Sequence, residues 1–109
     1  MILAKKNKNI IAGALNFISN NILYGRYWGS NTEIKNLHFE VCYYQAMELA
    51  IKNKYTKVEA GAQGAHKIKR GYLPKITYSA HYVFNEKLKL AIKNFLEEER
   101  KVVLNDIHY

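Results

Sequence analysis

Two strand-like runs flank Ser19-Asn20-Asn21, and this arrangement constrains the fold more than any other feature of the chain. Ile10–Ile18 is rich in aliphatic residues and short enough for a strand. Ile22–Gly29 alternates, with Leu23, Gly25 and Tyr27 on one side and Tyr24, Arg26 and Trp28 on the other. Ser-Asn-Asn between two such runs is a turn signal, so the pair predicts an antiparallel hairpin. A chain of 109 residues has room for one domain around that hairpin.

The period then changes. From His38 or Glu40 to Asn53, Cys42, Ala46, Leu49 and Ala50 form an apolar helical stripe that would meet a sheet. Tyr55–Ala60 reads as a short strand, parallel to its predecessor across the helix. Ile76–Phe84 alternates again, with Ile76, Tyr78, Ala80, Tyr82 and Phe84 on one face. Asn85 is placed to cap a last helix over Glu86–Arg100, carrying Leu88, Ala91, Ile92, Phe95 and Leu96. The expected class is α/β (α+β): a mixed sheet of about four to five strands with two main helices.

Charge narrows the choice of partner. The net charge is +8, with +4 in each half, so there is no detachable basic arm. Such a balance favours anionic partners, nucleic acid and phosphates among them. Cys42 is the single cysteine, so no internal disulfide forms. No zinc-type spacing of Cys and His occurs, and no metal site is expected. Lys5, Lys6 and Lys8 before Ile10–Ile18 look faintly like a leader. Asn16 and Asn20-Asn21 fall where a leader needs apolar and small residues, so a cytoplasmic chain without a membrane span is expected.

The segment Glu59 to Pro74 is the densest in special residues. It holds Gly61, Gly64 and Gly71 with Gln63, His66, Lys67, Lys69 and Arg70, and no acid stands between Glu59 and Glu86. Such a loop after a strand end suits an anion, although it matches neither the phosphate-loop nor the dinucleotide fingerprint. His66 and Glu59 are the candidate proton carriers. Arg26, between aromatic neighbours, can hold a carboxylate or phosphate. Ser79 and His81 share a strand face, but no acid follows to orient the histidine.

Leu23-Tyr24-Gly25-Arg26-Tyr27-Trp28-Gly29, Leu37-His38-Phe39-Glu40 and Cys42-Tyr43-Tyr44-Gln45 resemble the peptidoglycan biosynthesis/recognition family. The stretch Glu59 to His66, Lys67, Arg70-Gly71, Pro74 and Ser79-x-His81 extends the likeness over about Ala12 to Arg100. That family is Fem-related and GNAT-like. The resemblance implies one partial GNAT-like domain over residues 1–109, the C-terminal portion of a longer acyl- or aminoacyltransferase that is not active alone. Glu59 and His66 would then be catalytic, and Arg26, Gln63, Lys67 and Arg70 would bind substrate. The implied partners are a missing N-terminal half or a second copy, and aminoacyl-tRNA or another anionic donor. Where the family pattern has Gly-Glu-His-Lys, this chain reads Gly64-Ala65-His66-Lys67. The residues Gly29–Leu37 lack the pyrophosphate motif of acetyl-CoA users, so no cofactor is expected. The alternatives are a basic nucleic-acid-binding module without catalysis and a non-functional product of a split gene.

Overall fold

The structure is a computed structural model that describes every residue except Gln63, His108 and Tyr109. The chain forms two compact units, Met1–Tyr72 and Leu73–Tyr109.

The first unit is built on a four-stranded mixed sheet in the order β1-β2-β3-β4. Strands β1 (Ile2–Lys6), β2 (Asn9–Ser19) and β3 (Ile22–Ser30) are antiparallel neighbours, and β4 (Lys57–Glu59) runs parallel to β3. Both antiparallel turns have two residues at positive φ, Asn7-Lys8 and Asn20-Asn21. That backbone twist matches the right-handed twist of the flanking strands. The second hairpin was legible in the sequence. The first was not, because a lysine at positive φ carries no turn signature.

The expected alternation of β3 breaks at Arg26. Leu15 pairs with Tyr27 and Asn16 with Gly25, so Arg26 has no partner across the ladder. This bulge shifts the period by one residue. Leu23, Gly25 and Trp28 come to share a face with Ala14 and Asn16, in place of the expected grouping of Leu23 with Tyr27.

Between β3 and β4 the chain forms α1 (Leu37–Phe39), a π-helical turn (Glu40–Tyr44) and α2 (Gln45–Lys52). The wide turn is closed by Gln45 N–H donating to the Glu40 carbonyl. Its extra residue puts Val41, five before Ala46, on the buried side with Ala46 and Ala50. Helix α2 ends with Tyr55 N–H on the Ala50 carbonyl (2.9 Å) and Lys54 N–H on the Ile51 carbonyl (3.2 Å), with Lys54 left-handed. Thr56 N–H then donates to the Asn21 carbonyl at 2.7 Å, fixing the start of β4 beside the start of β3.

The core is small. Ala12, Ala14 and Leu23 from the sheet meet Val41, Tyr43, Ala46 and Ala50 from the helical segment. Alanines on both sides let the helix approach the sheet closely. Leu23 is fully enclosed, and burying a side chain of that size contributes about 2 kcal/mol.

In the second unit, residues 76–84 form no strand, against the expectation from their alternation. Alternation encodes a face, but a strand also needs a ladder for its backbone N–H and C=O groups, and no strand forms among the described residues of this unit. Helix α3 (Glu86–Ile107) starts as expected, with Leu88 N–H donating to Asn85 Oδ1 at 3.0 Å. It runs past Arg100, and none of its residues is buried. The Lys89–Glu86 and Lys101–Glu98 pairs along it are exposed and contribute little.

Candidate functional site

The π turn and the glycine-rich loop meet at one contact. Tyr43 Oη lies 2.9 Å from His66 Nε2, a hydrogen bond between residues 23 apart in sequence. Around it the rings are dense. His38 stands edge-on to Trp28 (centroids 5.2 Å) and to Tyr43 (5.4 Å), and its centroid is 6.3 Å from that of His66. Tyr72 meets Tyr43 edge-on at 5.5 Å.

Trp28, His38 and Tyr43 border a cavity of about 200 Å³, whose wall also includes Arg26, Cys42 and Lys67. No carboxylate side chain lines it among the described residues. A wider, open cleft of about 820 Å³ adjoins the same Trp28 and His38 and runs along Ser30 to Lys35.

The loop is held by its own cations. Lys67 Nζ donates to the carbonyls of Ala60 (2.8 Å), Gly61 (3.2 Å) and Ala62 (2.9 Å). An ammonium has three N–H donors, so all of them are used. Arg70 Nη1 donates to the His66 carbonyl at 2.8 Å, and its guanidinium carbon sits 3.5 Å from the Phe39 ring centroid. Arg70 Nε and the Tyr72 hydroxyl are buried without a hydrogen-bond partner among the described residues.

Electrostatics follow from burial and from the surplus of positive charge. His38 is held below the ordinary histidine range, first by burial and then by His66, Arg70 and Lys67. Burial raises the Tyr43 phenol, with a further push from Cys42 against a pull from Arg70. Burial pushes the Cys42 thiol up to about 11 and, with Tyr43 and Cys42 adding to it, the Tyr72 phenol up to about 12. Lys67 is lowered by burial. The phenols and the thiol are therefore hydrogen-bond donors at neutral pH.

The sequence-predicted residues fall into three groups. His66 sits at the centre, and Arg26 reaches the cavity from the bulge with its guanidinium carbon 5.0 Å from the Tyr27 centroid. Lys67 and Arg70 are close by, but all three Lys67 donors and the Nη1 of Arg70 go to backbone carbonyls. Glu59 is not brought to the site. It pairs with Tyr24, on the face opposite Leu23, and is exposed. Gln63 lies outside the described residues. Trp28, His38 and Tyr43 were missed as site residues, though the ring density of Leu37–Tyr44 was visible in sequence. Among the described residues no cluster of His, Cys, Asp and Glu is gathered to hold a metal ion, and no helix is long and apolar enough to cross a membrane.

A family model described as FemAB-like, peptidoglycan biosynthesis/recognition, matches residues 1–109, the whole chain. The chain belongs to the FemAB-like family. A GNAT-like ancestry is consistent with that family, and the membership points to a peptidoglycan-related role. Searches of curated proteins and of solved structures give no match. The Tyr43–His66 contact is thus built from two segments of a FemAB-like chain, the π turn and the loop after β4.

Proposed function

We propose that this FemAB-like chain supplies the proton-handling part of an acyl- or aminoacyl-transfer site. It would act as the C-terminal portion of an enzyme completed by a second polypeptide. The observation that carries the reading is the Tyr43–His66 hydrogen bond beside a cavity lined by cations and rings, with no carboxylate among the described residues.

The chemistry follows from that placement. Tyr43 stands between the cavity and His66. As an acceptor amine forms its new C–N bond to the acyl carbon, its proton passes to Tyr43 Oη while the phenol proton moves to His66 Nε2. The C–O bond to the donor breaks, and the proton returns along the same path to the departing oxygen. His66 needs its lone pair on Nε2, hence the tautomer with hydrogen on Nδ1. Arg26, with no ion pair among the described residues, would hold an anionic group of the donor, aminoacyl-tRNA or a similar ester. Lys67 and Arg70 would serve this site by shaping the loop.

Among the described residues β1 and β4 are the edge strands of the sheet, and edge strands can pair with a further chain, which supports a two-chain arrangement. The test is transfer of a radiolabelled amino acid from aminoacyl-tRNA to an amine-bearing muropeptide. The chain alone is expected to give no turnover. With the polypeptide encoded upstream it should give transfer that falls at least ~100-fold in Tyr43→Phe and His66→Gln. Transfer that survives both substitutions would end the proposal.

A further inference from the structure

A second feature lies outside the cavity. Residues 73–85 of the second unit form neither helix nor paired strand, and three rings on this segment stand in solvent. Tyr78 is 91% exposed, Tyr82 73% and Phe84 87%. Exposure of one ring needs no explanation, but three within seven residues, two of them in contact, make an exposed aromatic segment. Tyr82 and Phe84 meet edge-to-face at 4.9 Å, so the face of one ring stays open beside the edge of the other. Lys89 Nζ stands 5.6 Å from the Tyr82 centroid, which puts a cation beside that ring.

We infer that this aromatic segment, with Lys75, Lys87 and Lys89, is a stacking platform for single-stranded nucleic acid. Bases offer a π-face whatever their identity, and exposed rings interleaved with cations bind single strands by stacking along a neutralised backbone. Charge decides among possible occupants. Within residues 73–89, Lys75, Lys87 and Lys89 outnumber the single acid Glu86, so the segment suits a polyanion. A second copy of a chain with net charge +8 brings the same sign. A membrane surface calls for a continuous apolar face, whereas Ser79 and His81 lie between Tyr78 and Tyr82 in a segment that forms no strand. The same polar residues can hydrogen-bond to sugars and base edges.

The inference stands apart from the transfer reading, because stacking needs neither Tyr43 nor His66. The experiment titrates the full chain into a fluorescein-labelled oligouridine of about a dozen nucleotides and follows anisotropy across a salt series, a length matched to known single-strand site sizes. Binding should weaken linearly in log salt. Tyr78→Ala/Tyr82→Ala/Phe84→Ala should bind about 100-fold more weakly with an unchanged salt slope. Lys75→Gln/Lys87→Gln/Lys89→Gln should flatten that slope by about 2. His66→Gln should bind as the parent does, so failure of the transfer reading leaves this result intact. Circular dichroism of each variant confirms that α3 persists. Unaltered affinity in the ring variant would overturn the inference. So would absence of oligouridine binding, whether the rings then prove to drive sedimentation as a dimer or adsorption to anionic phosphatidylglycerol vesicles.

Discussion

A β-carbon placed on Gly64 would stand 2.5 Å from Cε1 and 2.9 Å from Nδ1 of the His66 ring, and Gly64 itself has φ +103°. The imidazole therefore lies against a backbone that only glycine provides. Gly64→Ala is expected to push the ring off Tyr43 and to destabilise the fold by about 1–3 kcal/mol from backbone strain. Urea unfolding measures the second effect. NMR of the imidazole nitrogens measures the first, through loss of the signature of a hydrogen-bonded Nε2.

Lys67 and the carbonyls of Ala60, Gly61 and Ala62 make the loop a closed clip. Lys67→Met keeps much of the stem volume but removes three charge-assisted bonds. Because the loop is partly solvated, water replaces some of them, and a loss of about 1–3 kcal/mol is expected. Amide hydrogen exchange should accelerate over residues 60–67, while β1 and β2 keep their protection. Uniform acceleration across the sheet would mean that the clip holds more than the loop.

These two contacts show where sequence reading stops. Lys67 and Arg70 were visible as cations in a glycine-rich loop, and free cations there suggest an anion. Nothing in the residue types says that backbone carbonyls take those donors first, since that depends on how the loop closes. The helical stripe was read at 3.6 residues per turn, a period that groups Cys42 with Ala46. The π turn substitutes Val41 and swings Tyr43 toward His66. The bulge at Arg26 likewise regroups Trp28 with Leu23. Both irregularities add one residue to a regular period, and both border the cavity. From Asn85 along α3 and at Asn20-Asn21 the reading held, whereas the clean alternation of residues 76–84 found no ladder to join.

His38 gives a pH dependence whose sign is fixed by its surroundings. Burial, then His66, Arg70 and Lys67, keep it from protonating in the folded state until below its ordinary value of 6.5. Between its folded and ordinary values the unfolded chain therefore binds more protons, and stability rises with pH. Below the folded value both states are protonated, and the penalty is present in full. Urea midpoints should climb as pH rises through the ordinary histidine range. His38→Gln should flatten that climb. A midpoint profile unchanged by the substitution would show that another group carries the dependence.

Cys42 offers a chemical check of the cavity. Its thiol lines the wall beside His38 and Tyr43, and burial pushes its ionisation up to about 11 from an ordinary value of 9.0. Thiolate is the species that reacts with alkylating reagents, so two pH units of displacement lower its fraction about 100-fold at mildly alkaline pH. Iodoacetamide should modify the folded chain at about one hundredth of the rate seen in urea. The ratio should close as pH approaches the raised value, because the folded thiol then ionises too. Lys67→Met opens the loop beside the same wall and should raise the folded rate toward the unfolded one. Equal rates in folded and unfolded chains at mildly alkaline pH would show that water reaches Cys42 freely and that the cavity wall is not closed there.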